Sequence, residues 1–132
     1  LGDTIRVSLT DEPAKEVRVG VELLRAVGLR APGAAVTSCP TCGRTRVDVA
    51  GLAARVEERL ERHYREHPEA ARPHVAVMGC VVNGPGEAKG ADIAVAGGCG
   101  SFALYVRGEQ VKVIPEADAL AAIVALVEQW PK

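Results

Sequence analysis

Met78-Gly79-Cys80-Val81-Val82-Asn83-Gly84-Pro85-Gly86-Glu87 is the stretch on which the reading of this chain turns. Residues 74–78 just before it are mostly apolar and read as a strand, which hands Cys80 to an Asn-Gly-Pro-Gly segment predicted to form a sharp turn. Proline sets one backbone angle in that segment, and the glycines beside it accept angles that other residues avoid. Such a turn folds back the seven-residue step from Cys80 to Glu87, so that a thiolate and a carboxylate face one centre. Upstream, Cys39-Pro40-Thr41-Cys42-Gly43-Arg44 closes another short apolar run. Three thiols and one hard oxygen are thus the donors around which the chain is organised.

Working outward, residues 35–37 are predicted as a short strand entering the first cysteine pair. Asp48 is a natural N-cap for a helix running to about Arg65, with Leu52, Val56, Leu60 and Tyr64 on one apolar stripe. Glu58 with Arg62 and Glu61 with Arg65 are favourable pairs one turn apart on its solvated side. Residues 92–96 read as a further strand and residues 97–100 as a flexible turn. Residues 102–106 and 111–114 read as a hairpin around Arg107-Gly108-Glu109-Gln110. Pro115 and Glu116 open a last helix with Leu120, Ile123, Val124 and Val127 inward. From Ala34 on the predicted order is βαββββα, an α/β sandwich on a mixed sheet. Ahead of it, residues 4–9 alternate as a strand, and a helix from Pro13 ends at Gly28. This opening is one βα unit, joined through the Pro- and Gly-containing residues 30–34. The domain division expected is residues 1–30 and residues 31–132.

Composition narrows the class. With 132 residues the chain is long enough for one real core, and its four aromatic residues make that core aliphatic. A net charge of −1 with no basic run argues against nucleic acid as the main partner. No apolar run is long enough to span a membrane, and no signal peptide is visible. The first residue is Leu1, which suggests a fragment of something longer. Two separated cysteine groups, one of them C-x2-C, indicate metal or redox chemistry in a reducing, cytoplasmic compartment.

A C-x2-C turn serves zinc, iron–sulfur clusters and dithiol redox sites alike. Zinc would recruit Cys99 or one of His63, His67 and His74 as a further ligand, giving a structural module. A ferredoxin-like electron-transfer domain is a second alternative. Thiolates suit iron–sulfur clusters, whereas a carboxylate is harder and more readily displaced. Glu87 in that place would leave one iron able to exchange its ligand for a substrate oxygen; otherwise Glu87 is a surface carboxylate.

Cys-Pro-Thr-Cys-Gly-Arg followed about forty residues later by Gly-Cys-Val-Val-Asn-Gly-Pro-Gly-Glu resembles the C-terminal domain of the 4-hydroxy-3-methylbut-2-enyl diphosphate synthase family. The likeness covers almost the whole chain, including the opening Gly-Asp-Thr-Ile-Arg-Val-Ser-Leu-Thr. It implies a [4Fe-4S] cluster held by Cys39, Cys42, Cys80 and Glu87, with Glu87 also the catalytic group that caps the exchangeable iron. It implies an oxidoreductase of non-mevalonate isoprenoid biosynthesis, which opens 2-C-methyl-D-erythritol 2,4-cyclodiphosphate to 4-hydroxy-3-methylbut-2-enyl diphosphate with electrons from flavodoxin or ferredoxin. The N-terminal βα unit would then be the end of a TIM barrel. The cluster domain would close over the barrel of a partner subunit in a homodimer, and this fragment alone would be inactive. Arg6 and Ser8 resemble positions that hold the diphosphate, though both also suit the polar side of an amphipathic strand. Asn83 either reaches substrate or simply makes the turn. Cys99 falls where the family carries a glycine- and lysine-rich turn, so the resemblance assigns it no role.

Overall fold

A computed structural model describes residues 2–82 and 84–131, which fall into two units, one up to Gly33 and one from Ala34 onward. The second unit holds a five-stranded sheet of order β1-β2-β3-β4-β5. Its strands are β1 (Val36–Ser38), β2 (Val75–Met78), β3 (Ile93–Gly97), β4 (Ser101–Val106) and β5 (Glu109–Pro115). The first three are parallel, and β4 and β5 return antiparallel. This is the mixed α/β sheet expected from the pattern.

Alternation along the strands sorts side chains by size onto the two faces. Val75, Val77, Ile93, Val95, Phe102 and Leu104 point to one face and form the main core with two helices. The helices are α2 (Val49–Glu66) and α4 (Ala119–Glu128), the latter preceded by a 3-10 turn at Glu116–Asp118. The other face carries Ala76, Met78, Ala94, Ala96, Ala103 and Tyr105 and packs with Ala88 and Ala91. Small side chains there admit a close cover, and the cover is a short helix, α3 (Gly84–Ala88). Both faces of β2 and β3 are buried, which accounts for their unbroken apolar runs.

Local signals set the helices. The Asp48 carboxylate accepts from the Gly51 N–H at 2.9 Å and so caps α2. Leu52, Val56, Leu60 and Tyr64 are all buried, as their spacing predicts. Arg62 and Glu58 approach to 3.7 Å on the exposed side, and the Glu61 carboxylate takes a hydrogen bond from the Ala34 N–H at 2.9 Å. Phe102 is fully buried in a mostly aliphatic core. Phe102→Ala should cost about 3–5 kcal/mol of stability by opening a cavity that flanking strands cannot close. A denaturant midpoint unchanged from wild type would refute that packing role.

Three expectations need correction. The Gly84-Pro85-Gly86-Glu87 segment is a helical turn rather than an open reverse turn. Pro85 suits this, because its fixed angle and missing N–H are both tolerated in a first helical turn. The hairpin loop is only Arg107-Gly108, with φ of 51° and 82°, so β5 begins at Glu109. Two positive φ values in a two-residue loop match the twist of the flanking strands. Residues 4–9 form no ladder, since a strand needs a neighbour's backbone and the N-terminal unit contains no other strand among its described residues.

That N-terminal unit is helix α1 (Pro13–Ala26) with the segment before it. Ile5 and Val7 approach α1 at Gly20, where an added Cβ would lie 3.6 and 3.7 Å from their methyls. The Leu9 N–H is held by the Glu16 carboxylate at 3.0 Å. Most of the unit's other large apolar residues stay exposed, among them Val17, Leu23 and Val27.

Candidate metal centre

Parallel pairing of β1 and β2 decides where the thiols stand. Cys39 follows the last residue of β1, Cys80 comes two residues after β2, and both strands end on the same side of the sheet. The ladder continues past the formal strand end, with the Cys39 N–H donating to the Val77 carbonyl at 3.2 Å. The Gly79 N–H then donates to Cys39 Sγ at 3.2 Å. Hydrogen bonds from an amide to sulfur help set the potential of iron–sulfur centres.

The turn bearing Cys42 is pinned to the same place. Thr41 takes a left-handed φ of 59° and reverses the chain between the two cysteines. The Cys42 N–H donates to Thr45 Oγ1 at 3.2 Å, and the Thr45 N–H donates to the Cys42 carbonyl at 3.0 Å. Thr45 in turn lies against Gly79, where any Cβ would stand 2.8 Å from its hydroxyl oxygen. Gly79 therefore touches both cysteine segments and leaves no room for a side chain.

Glu87 lies exposed on α3. That helix is tied to the thiol side by its first residue, whose N–H donates to the Cys80 carbonyl at 3.1 Å. Cys42 and Glu87 are exposed, while Cys39 and Cys80 are half-buried. All four cysteines stand outside disulfides. Cys99 is exposed in the turn after β3, the third parallel strand, and so at the same end of the sheet as Cys39 and Cys80.

The histidines stand elsewhere. His74 precedes β2, at the opposite end of that strand from Cys80, and its ring bonds Thr37 Oγ1 at 2.8 Å and the Gly90 carbonyl at 3.3 Å. His63 is buried near the end of α2 with its ring 5.0 Å from that of His67. Among the described residues, no three of the histidine, cysteine and carboxylate side chains are grouped as ligands of a single ion. Arg6 and Ser8 belong to the separate N-terminal unit, both exposed. Asn83 lies outside the described residues.

Sequence reading gave no site role to Gly79 or Ala96 and took Gly84 and Gly97 only as turn residues, whereas all four shape the site through close approach without supplying a donor. A Cβ on Gly97 would overlap Val47 and come within 2.9 Å of the Gly79 carbonyl, and one on Gly84 would overlap Ala96. The available signal was glycine at the ends of consecutive apolar runs, where close backbone approach is a common reason for it. The donor chemistry fits an iron–sulfur group: three cysteines outside disulfides on two neighbouring loops, an amide on one sulfur, and an exposed carboxylate on an adjoining helix.

No helix among the described residues is long and apolar enough to cross a membrane. The chain is 51% identical over 129 residues to the 4-hydroxy-3-methylbut-2-en-1-yl diphosphate synthase (flavodoxin) of Geobacter sulfurreducens, covering 98% of this chain and 35% of that protein. The proteins of the same name from Symbiobacterium thermophilum and Caldanaerobacter subterraneus subsp. tengcongensis are 51% and 49% identical, over 98% and 100% of this chain and 33% and 36% of theirs. The chain thus spans about a third of the length of the curated relatives it matches. Residues 35–129, nearly the whole sheet-bearing unit, match one family profile, and the chain belongs to the GcpE protein C-terminal domain family.

Proposed function

We propose that this chain supplies the cluster-binding half of a 4-hydroxy-3-methylbut-2-en-1-yl diphosphate synthase, with Cys39, Cys42, Cys80 and Glu87 as the ligands of a [4Fe-4S] cluster. One observation carries the reading: adjacent parallel strands bring Cys39 and Cys80 to one end of the sheet, with the Gly79 N–H on Cys39 Sγ. The names of the relatives point to the same reaction. A single zinc ion would gather its ligands into one tight shell, whereas each iron of a four-iron cluster takes its own protein ligand.

When bound, the group would supply single electrons and one Lewis-acidic iron to reductive opening of the cyclic diphosphate. The chain's own residues do the rest. Three thiolates hold the group, and the Gly79 amide steadies the charge on one of them. The Glu87 carboxylate would hold the fourth position as a hard ligand, the most readily exchanged of the four. Arg6 offers a planar fork of donors to diphosphate and Ser8 a further hydroxyl. These two residues, with α1, would complete a TIM barrel supplied by the rest of a longer protein. Asn83 would contact substrate. The partners of this reading are flavodoxin as electron donor and the barrel of a second subunit in a homodimer, in the cytoplasm.

Anaerobic reconstitution of the chain with iron and sulfide tests this directly. The expected product is brown and holds about four irons and four sulfides per chain. A colourless chain that keeps zinc in preference to iron would replace the reading with the structural zinc module.

A further inference from the structure

We propose that Ala96, on a strand that carries no ligand, is a positioning residue that sets the height of α3 and therefore the place of Glu87 beside Cys80. The inference rests on the cluster reading above and adds a residue to it. Ala96 lies on the small-residue face of β3 and is 1% exposed. Directly over it is Gly84, the first residue of α3. A Cβ on Gly84 would overlap the Ala96 Cβ, and the next nearest atoms are the Ala96 Cα at 3.4 Å and the Met78 Cβ at 3.7 Å. Only the Ala96 methyl is too close; the other two are ordinary contacts. The helix backbone therefore rests on one methyl group.

That seat is linked to both kinds of ligand. The Gly84 N–H holds the Cys80 carbonyl at 3.1 Å, and the chain from Gly84 runs through a single helical turn to Glu87. Ala88, four residues after Gly84, is fully buried in the same small-residue cluster, so α3 is pressed onto the sheet at two successive points. Bulk added at either partner must lift the helix off the sheet, because a buried strand and a buried backbone leave nothing flexible to yield. A ligand group has to be held to about 0.5 Å, so a shift of that origin is felt at the iron. Alanine is a poor strand former, and its use at 76, 94, 96 and 103 makes sense as room for this close cover.

A size-swap cycle tests the seat, using the reconstituted chain and the variants Gly84→Ala, Ala96→Gly and the double Gly84→Ala/Ala96→Gly. The readouts are rate of iron loss to a chelator, the electron paramagnetic resonance signal of a three-iron form after mild oxidation, and far-ultraviolet circular dichroism. Gly84→Ala should lose iron about tenfold faster than wild type and show more of the three-iron signal, as expected when a supporting group around a metal site is displaced. Ala96→Gly alone, with the methyl seat removed, should let α3 settle closer to the sheet and also lose iron several-fold faster than wild type; wild-type retention in this variant overturns the seat. The double variant should recover most of the retention, because removing one methyl makes room for the other. A Gly84→Ala chain with wild-type retention overturns the seat, and so does a double variant no better than Gly84→Ala. Should Gly84→Ala fail to fold, the double variant must fold and bind; its failure overturns the seat as well. A wild-type chain that takes up no cluster overturns the cluster reading and this inference together, whereas an unrescued double beside a normal wild type overturns only the seat.

Discussion

Serine in place of Cys39, Cys42 or Cys80 is expected to strip most of the iron from the reconstituted chain, while Cys99→Ser keeps about the full complement. A serine hydroxyl is harder and far less acidic than a thiol, so it is a poor substitute on iron. Thr41, between Cys39 and Cys42, takes a left-handed φ, and Cys80 is brought to the same end of the sheet by the β1–β2 pairing. Cys99 reaches the same end of the sheet and makes the comparison a real test, because proximity alone does not exclude it. It lies exposed between two glycines. Iron and sulfide analysis on all four variants decides the matter. Loss of iron in the Cys99 variant would overturn the ligand set and restore a four-thiolate site.

Glu87→Cys should retain iron yet lose nearly all turnover in the full-length enzyme. A fourth thiolate binds iron more firmly than a carboxylate and does not give way to a substrate oxygen, so the position that must open stays closed. Glu87→Ala should bind a variable amount of iron and also lose activity, since three thiolates remain but the fourth iron is unguarded. Both variants are measured anaerobically for iron content, visible spectrum and reductive turnover with flavodoxin. A full cluster, normal spectrum and normal rate in Glu87→Ala would make Glu87 a surface carboxylate and remove this mechanism. Glu87 is exposed on a helix tied to Cys80, so neither substitution should disturb the core, and the two effects can be read without a folding defect.

The sequence by itself determined the parts whose signals are local. The stripe of Leu52, Val56, Leu60 and Tyr64 with its Asp48 cap specified α2, because capping and helical spacing act within a few residues. Apolar runs at 74–78 and 92–96 specified two strands, and the structure buries both faces of each. The two cysteine motifs announced the candidate site through spacing and a nine-residue match. Other features waited on partners far along the chain. The alternation at residues 4–9 makes no strand by itself, since ladder hydrogen bonds come from a neighbour. Gly84 to Ala88 became a helix because a sheet face of alanines lets a backbone settle on it, which local turn preference does not reveal. Only the parallel pairing of β1 with β2 placed Gly79 where its amide meets Cys39, forty residues away, and left no room for a side chain there. Close approach is a property of two segments together, and neither segment's sequence contains it.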